Sequence, residues 1–256
     1  MTATDHRTVD VTSLGPLSHQ EGLDLFAAEL DRMLGLMQTL SPEDWTAQTE
    51  CPDWDVRRMM LHVLGAGEGG ASFREFGHQM MAARRYQKEH GGPQEAALSA
   101  TQVADRLALD PQALMARFTT MAPACVRARR RLPSLMRKAS LTVDGPVVER
   151  WTLGYLIDTI YLRDAWMHRI DVCRATGHAP VLTPEHDGRI VADVVAEWSR
   201  RHGQPFTLVL DGPAGGTFVA GRSGEGEHLH LDAVEFCRTL AGRLPGSGLL
   251  ATVVPF

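Results

Sequence analysis

The chain carries no surplus of positive charge. Its 26 lysines and arginines face 31 acids, for a net charge of -5, which argues against the broad basic surface that nucleic acid or an anionic membrane requires. No apolar run approaches the roughly 18 residues of a membrane span, and the polar segment up to Asp10 lacks the hydrophobic stretch of a signal peptide. Cysteine is scarce: Cys51, Cys125, Cys173 and Cys237 are scattered and form no C-x-x-C pair. Neither a thiolate zinc site nor a disulfide framework is indicated, and the four read as reduced thiols. These absences predict a soluble, cytoplasmic protein with no nucleic-acid or membrane partner. At 256 residues the chain can bury a sizeable core, and two domains are expected. Nothing in it demands more than a monomer.

What is present is a separated trio of polar residues in apolar surroundings. His62 lies in Met59-Met60-Leu61-His62-Val63-Leu64, and Asp164 and His168 lie in Leu162-Arg163-Asp164-Ala165-Trp166-Met167-His168. On one helix the four-residue spacing stacks the carboxylate beside the imidazole. The spacing alone is weak, because 31 acids and 11 histidines in 256 residues produce about one such pair by chance. The neighbours carry more weight. Steps of three and four back from His168 meet Asp164, Ile160, Ile157 and Leu153, an otherwise apolar stripe that points both polar groups inward. A lone buried carboxylate costs several kcal/mol unless it is paired, protonated or metal-bound. One solution brings in His62, since two imidazoles and a carboxylate can hold a divalent metal with positions left open. In the other, Asp164 and His168 pair with each other and His62 bonds a local backbone carbonyl.

After a leader expected to be mobile to about Pro16, apolar spacing predicts a helix over residues 18–40. Ser41-Pro42-Glu43-Asp44 signals a short helix, and Asp53 or Asp55 can cap the helix that carries His62. Gly65, Gly67, Gly69 and Gly70 weaken that helix just past the histidine and read as a loop. Helices follow over residues 71–90 and 111–132, the latter with a kink or break at Pro123. Its end is basic: Arg127, Arg129, Arg130, Arg131, Arg137 and Lys138 could bind an anionic ligand, or form a solvated helix end with favourable dipole pairing. A helix over residues 149–175 then carries Asp164 and His168 and stops at Gly177, which makes four principal helices. Beyond Pro180 a helix is expected over 183–201, strands over 206–210, 216–220 and 227–231, a helix over 233–243 and a last strand over 249–254. That second part reads as α+β with an antiparallel sheet, and holds no dinucleotide or phosphate fingerprint.

Leu40-Ser41-Pro42-Glu43-Asp44-Trp45, then Thr49-Glu50-Cys51-Pro52-Asp53-Trp54-Asp55-Val56-Arg57 and His62, resemble the N-terminal signature of the mycothiol-dependent maleylpyruvate isomerase family, a branch of the DinB-like four-helix bundles. Trp166-Met167-His168-Arg169-Ile170-Asp171 and Arg174-Ala175-Thr176-Gly177 are similar to its second motif. The stretch from Asp232-Ala233-Val234-Glu235-Phe236 to Gly242-Arg243, with the ending Val253-Val254-Pro255-Phe256, resembles the family's sterol-carrier-like domain. The resemblance implies a DinB-like four-helix bundle over residues 17–178 and a sterol-carrier-like α+β domain over 179–256. It also implies a divalent metal, usually zinc, on His62, Asp164 and His168, where the family pattern usually has Glu at the position of Asp164. Asp171 could orient an imidazole, or pair at the surface with Arg169 or Arg174. Arg243 matches a family arginine that reaches the cleft, and Arg84 and Arg85 are further candidates to anchor a carboxylate, although arginines are most often simply solvated.

The implied partners are a low-molecular-weight thiol, mycothiol, and a small electrophile. The implied activity is a maleylpyruvate-type cis–trans isomerase or a thiol S-transferase. No Ser, Cys and His arrangement offers an equally coherent protein nucleophile. The alternative from another class is a non-catalytic, metal-stabilised ligand-binding or regulatory module.

Overall fold

The computed structural model describes residues 8–144, 148–222 and 224–256. They fall into two units, Ser18–Pro180 and Val181–Phe256, with residues 8–17 belonging to the second. The described part of the leader is therefore not loose: β1 (Thr8–Asp10) pairs in parallel with a strand of the second unit, and the buried Val11 follows it.

In the helical unit, Ser18 caps α1 (His19–Met37), its hydroxyl accepting from Glu21 N while the Glu21 carboxylate accepts from Ser18 N. Ser41 and Asp44 repeat that reciprocal arrangement ahead of the 3-10 turn Asp44–Thr46. Asp55 caps α2 (Val56–Ala71), accepting from Arg58 N at 2.7 Å. The glycine cluster lies inside α2 rather than ending it, because it forms a contact surface. A Cβ built at Gly65 would stand 2.7 Å from Gln102 Cβ, and one at Gly70 2.9 Å from Cys125 Sγ. Bare backbone lets α3 (Phe73–His90), α4 (Gln94–Ala104) and α5 (Pro111–Arg130) pack on α2, and this burial offsets the roughly 1 kcal/mol that each helical glycine costs. Gly65→Ala should lower stability by about 1–3 kcal/mol through overpacking. Gly35→Ala, in α1 with nothing within 4 Å of its Cβ, should raise it by about 0.5–1 kcal/mol. Denaturant melts of the two variants measure both, and equal shifts would remove the packing role.

Helix α4 was not expected from the sequence, and α5 runs through Pro123 without a break. Pro123 is exposed, so the carbonyl it leaves unbonded can face water. A short α6 (Ser134–Arg137) leads to the antiparallel hairpin β2 (Ser140–Asp144) and β3 (Val148–Thr152). The helix expected from residue 149 therefore starts later. Alternating exposure along Val148–Thr152, with Trp151 paired to Leu141, suits a half-buried strand better than a helix turn. Then come α7 (Leu153–Tyr155), a π-helical turn over Leu156–Ile160, and α8 (Tyr161–Thr176), which Gly177 ends at φ 73°. α1 packs on α5 and α8, and α2 on α5 and α8. Met33, Met60, Leu64, Phe118, Trp166 and Met167 are buried in this unit. The α1–α8 contact is keyed by a fully buried ion pair, Arg169 Nε donating to Glu29 Oε1 at 2.6 Å and Nη2 to Oε2 at 3.1 Å.

The second unit continues with the π-helical turn Pro184–Gly188, α9 (Arg189–His202), β4 (Phe206–Asp211), β5 (Gly216–Ala220), β6 (Glu227–Asp232) and α10 (Ala233–Leu240). The sheet order is β1-β5-β4-β6, and it is mixed rather than antiparallel: only β4–β5 is antiparallel, whereas β1–β5 and β4–β6 are parallel. The link after β5 crosses to the far edge of β4, so β6 cannot pair back on β5. Gly226 permits the crossing, since a Cβ there would stand 1.9 Å from Pro205 O. Phe206, Leu208, Leu210 and Phe218 point inward from the sheet, and Trp198 of α9 meets the rings of Phe206 and Phe236. The last strand expected over 249–254 is a 3-10 turn, Gly248–Ala251, and α10 stops short of Arg243. The fold is mixed α and β, and among the described residues no helix is long and apolar enough to cross a membrane.

Candidate metal centre

The loop before α2 is locked by short polar contacts. Gln48 Nε2 donates toward the carbonyls of Cys51 and Trp54 at 3.0 Å, and the Thr49 hydroxyl donates to Trp54 O at 2.6 Å. These contacts set Trp54 over His62, with ring centroids 4.8 Å apart and planes 29° from parallel. His62 lies in the second turn of α2 and is 8% exposed. Asp164 and His168 come from successive turns of α8.

The three side chains converge. His62 Nε2 lies 3.7 Å from Asp164 Oδ2, and His168 Nε2 lies 3.3 Å from Asp164 Oδ1. The two imidazoles stand nearly perpendicular, 5.3 Å between centroids, and one donor atom from each residue falls within 4.8 Å of the others. Donors about 2.1 Å from a tetrahedral zinc stand about 3.4 Å apart, so the spacing suits a cation after small adjustment. His168 Nδ1 lies 3.3 Å from Asp171 Oδ2, a contact that would fix the ring orientation and present Nε2. Asp171 is fully buried, so this contact with His168 is made in the interior rather than at the surface. His62 does not bond a backbone carbonyl, for its Nδ1 is buried without a partner.

The electrostatics are those of a tight pair. Burial opposes ionisation of Asp164, but His168 and then His62 outweigh it and hold the carboxyl well below its usual range. Burial likewise disfavours charge on His168, yet Asp164 and then Asp171 raise its pKa to about 9. The Asp164 side chain remains 25% exposed, which leaves the cluster an open side.

Sequence reasoning did not single out Trp54, although the tryptophan stands in the motif directly ahead of the histidine helix. Nor did it place Cys51, whose sulfur lies within 4.8 Å of donor atoms of His168 and Asp171. Arg84 and Arg85 lie exposed on α3. Arg243 lies in the second unit, its backbone N–H bonded to Arg238 O at 2.9 Å.

Two helices that converge a histidine on an Asp-x-x-x-His pair, in a chain that also carries a separate α+β unit, define a two-unit protein with a histidine–carboxylate centre. Residues 26–173 match the mycothiol maleylpyruvate isomerase N-terminal domain, and the chain belongs to that enzyme family. Two solved structures of the mycothiol-dependent maleylpyruvate isomerase, one of them a histidine-to-alanine variant, are similar in fold. Each alignment covers 92% of this chain and 92% of the other, at 15% identity and TM-scores of 0.57 and 0.56. No curated protein matches the chain by sequence.

Proposed function

We propose that this chain is a metal-dependent enzyme that uses mycothiol to isomerise a maleylpyruvate-type cis alkene, with Ser18–Pro180 acting as a DinB-like metal-binding bundle and the second unit as a sterol-carrier-like domain. The observation that carries the reading is the convergence of His62, Asp164 and His168 within 4.8 Å, backed by Asp171. These three would hold the cation. Bound there, a zinc-like ion lowers the pKa of a thiol so that thiolate forms at neutral pH.

The chain's own groups supply the rest. Asp171 holds the His168 ring, and Trp54 covers the two imidazoles. The exposed side of Asp164 leaves room for a small thiol and its partner. The substrate's conjugated cis double bond accepts the sulfur at one carbon while its electron pair moves to the conjugated carbonyl. The former double bond turns as a single bond, and the trans alkene forms as the C–S bond breaks and the thiolate is returned. Arg84, Arg85 and Arg243 remain candidate contacts to substrate or thiol, as the family resemblance implies.

The test is incubation of zinc-loaded protein with mycothiol and maleylpyruvate. Conversion from cis to trans without net loss of thiol is expected. Net thiol loss across a panel of electrophiles would make the protein an S-transferase, and neither outcome would leave a non-catalytic metal-stabilised module. Mycothiol should also raise the Tm of the zinc-loaded chain more than cysteine or glutathione at equal concentration. Equal shifts from all three would remove mycothiol as the cofactor.

A further inference from the structure

One cation of the basic helix end is unlike its neighbours. Arg127, Arg130 and Arg131 are exposed, as a solvated helix end requires, but Arg129 is only 4% exposed. Its guanidinium lies against two rings, 3.9 Å from the centroid of Phe26 and 4.7 Å from that of Tyr161. Among the described residues its one hydrogen bond is from Nη1 to Ile157 O at 3.2 Å, a carbonyl of the π-helical turn. Nε is buried without a partner, and among the described residues no carboxylate lies within ion-pair distance of it. The nearby acids are already taken. Asp158, next in the chain to Ile157, is held by His19 at 2.8 Å and Arg137 at 3.5 Å, and Asp164 is held by the two histidines.

Burying a guanidinium without a counter-ion is costly, and two aromatic faces return only part of that cost. A planar fork with unused N–H groups is built for a carboxylate. The position fits that use. Tyr161, whose ring covers Arg129, is three residues before Asp164 on α8 and so stands beside it on the same helix face. The π-helical turn that supplies the Ile157 carbonyl leads directly into that face, and such turns are common at functional sites.

We propose that Arg129 is a carboxylate-binding residue of this site: with Tyr161 beside it, it takes the anionic end of a small carboxylic-acid substrate whose reacting carbon is presented toward the Asp164 cluster. This deepens the reading above by assigning the residue that receives the substrate's carboxylate, and it rests on that reading for the reaction.

The test measures binding rather than turnover, on the full chain stripped of metal by chelation and titrated with maleate in a calorimeter. The parent should bind maleate, Arg129→Gln should bind it about tenfold more weakly or worse, and Arg130→Gln, exposed and one residue away, should match the parent. Unchanged binding in Arg129→Gln overturns the proposal, as does a parent that binds no maleate with or without metal. Should Arg129→Gln fail to fold, the side-chain Nε–H resonance of Arg129 in the parent, assigned with Arg129→Lys, decides. A shift on adding maleate supports the contact, and an unmoved signal at saturating maleate overturns it. Metal content, measured separately, keeps the two readings apart. Loss of the metal reading leaves maleate binding by the stripped chain standing, and loss of maleate binding leaves metal and thiol chemistry standing.

Discussion

Replacing His168 by alanine should leave the purified chain unable to retain a divalent metal. The parent should hold about one ion per chain. His62→Ala should have the same effect, although its histidine lies on another helix more than 100 residues away in sequence. The size follows from the shell around the ligands. Changing a partner that only orients a ligand typically costs 10- to 100-fold in affinity, so Asp171→Asn, which weakens the hold on His168 Nδ1, should fall in about that range. Deleting a ligand outright should cost more than about 100-fold. Asp164→Glu, the side chain more usual in the family pattern, should keep the metal. Elemental analysis after dialysis against a graded chelator ranks the four variants. Full occupancy in both histidine variants would end the assignment.

The parts of the fold that the sequence made legible are those governed by local chemistry. Ser41 with Asp44 marks the turn before α2, and Asp55, one of the two acids placed to cap α2, does so, because the Ser41 hydroxyl and the Asp55 carboxylate each reach a backbone N–H three residues on. The inward stripe from Leu153 to His168 was readable because burial follows helical period, and the structure brings its two polar members to His62. What was misread depends on partners far away in the chain. Gly65 and Gly70 look like helix breakers until Gln102 and Cys125 fill the space where their side chains would be. The β2–β3 hairpin escaped notice because Trp151 can serve either period, and its pairing with Leu141 decides the matter. Turn residues announced the end of β5 but not which edge β6 would join. The basic run holds six cations that look alike in the sequence, and packing against Phe26 and Tyr161 is what separates Arg129 from the rest.

Metal uptake should grow steeply tighter as pH rises, and release a proton as it occurs. In the metal-free chain the proton on His168 is held by Asp164 and Asp171 up to about pH 9. A cation must displace it, because an imidazole ligates only when neutral at the donating nitrogen. Apparent affinity should therefore rise about tenfold for each pH unit between 7 and 9 and level off above, with about one proton released per ion in calorimetry with buffers of differing ionisation enthalpy. Asp164 releases none over that range, since its carboxyl is ionised well below it. The stability of the metal-free chain should run the other way. The raised pKa of His168 contributes stability that is complete below about pH 6.5 and lost as pH climbs through about 9, and the depressed Asp164 contributes stability present above about pH 4 and lost as pH falls. Metal-free Tm should thus be highest between about pH 4 and 6.5, whereas the increment that zinc adds should grow toward pH 9. Asp171→Asn removes one of the two carboxylates that hold the His168 proton, so it should shift the rise in affinity to lower pH. An affinity independent of pH from 7 to 9 would mean that His168 is already neutral in the metal-free protein and that the Asp164–His168 ion pair does not form.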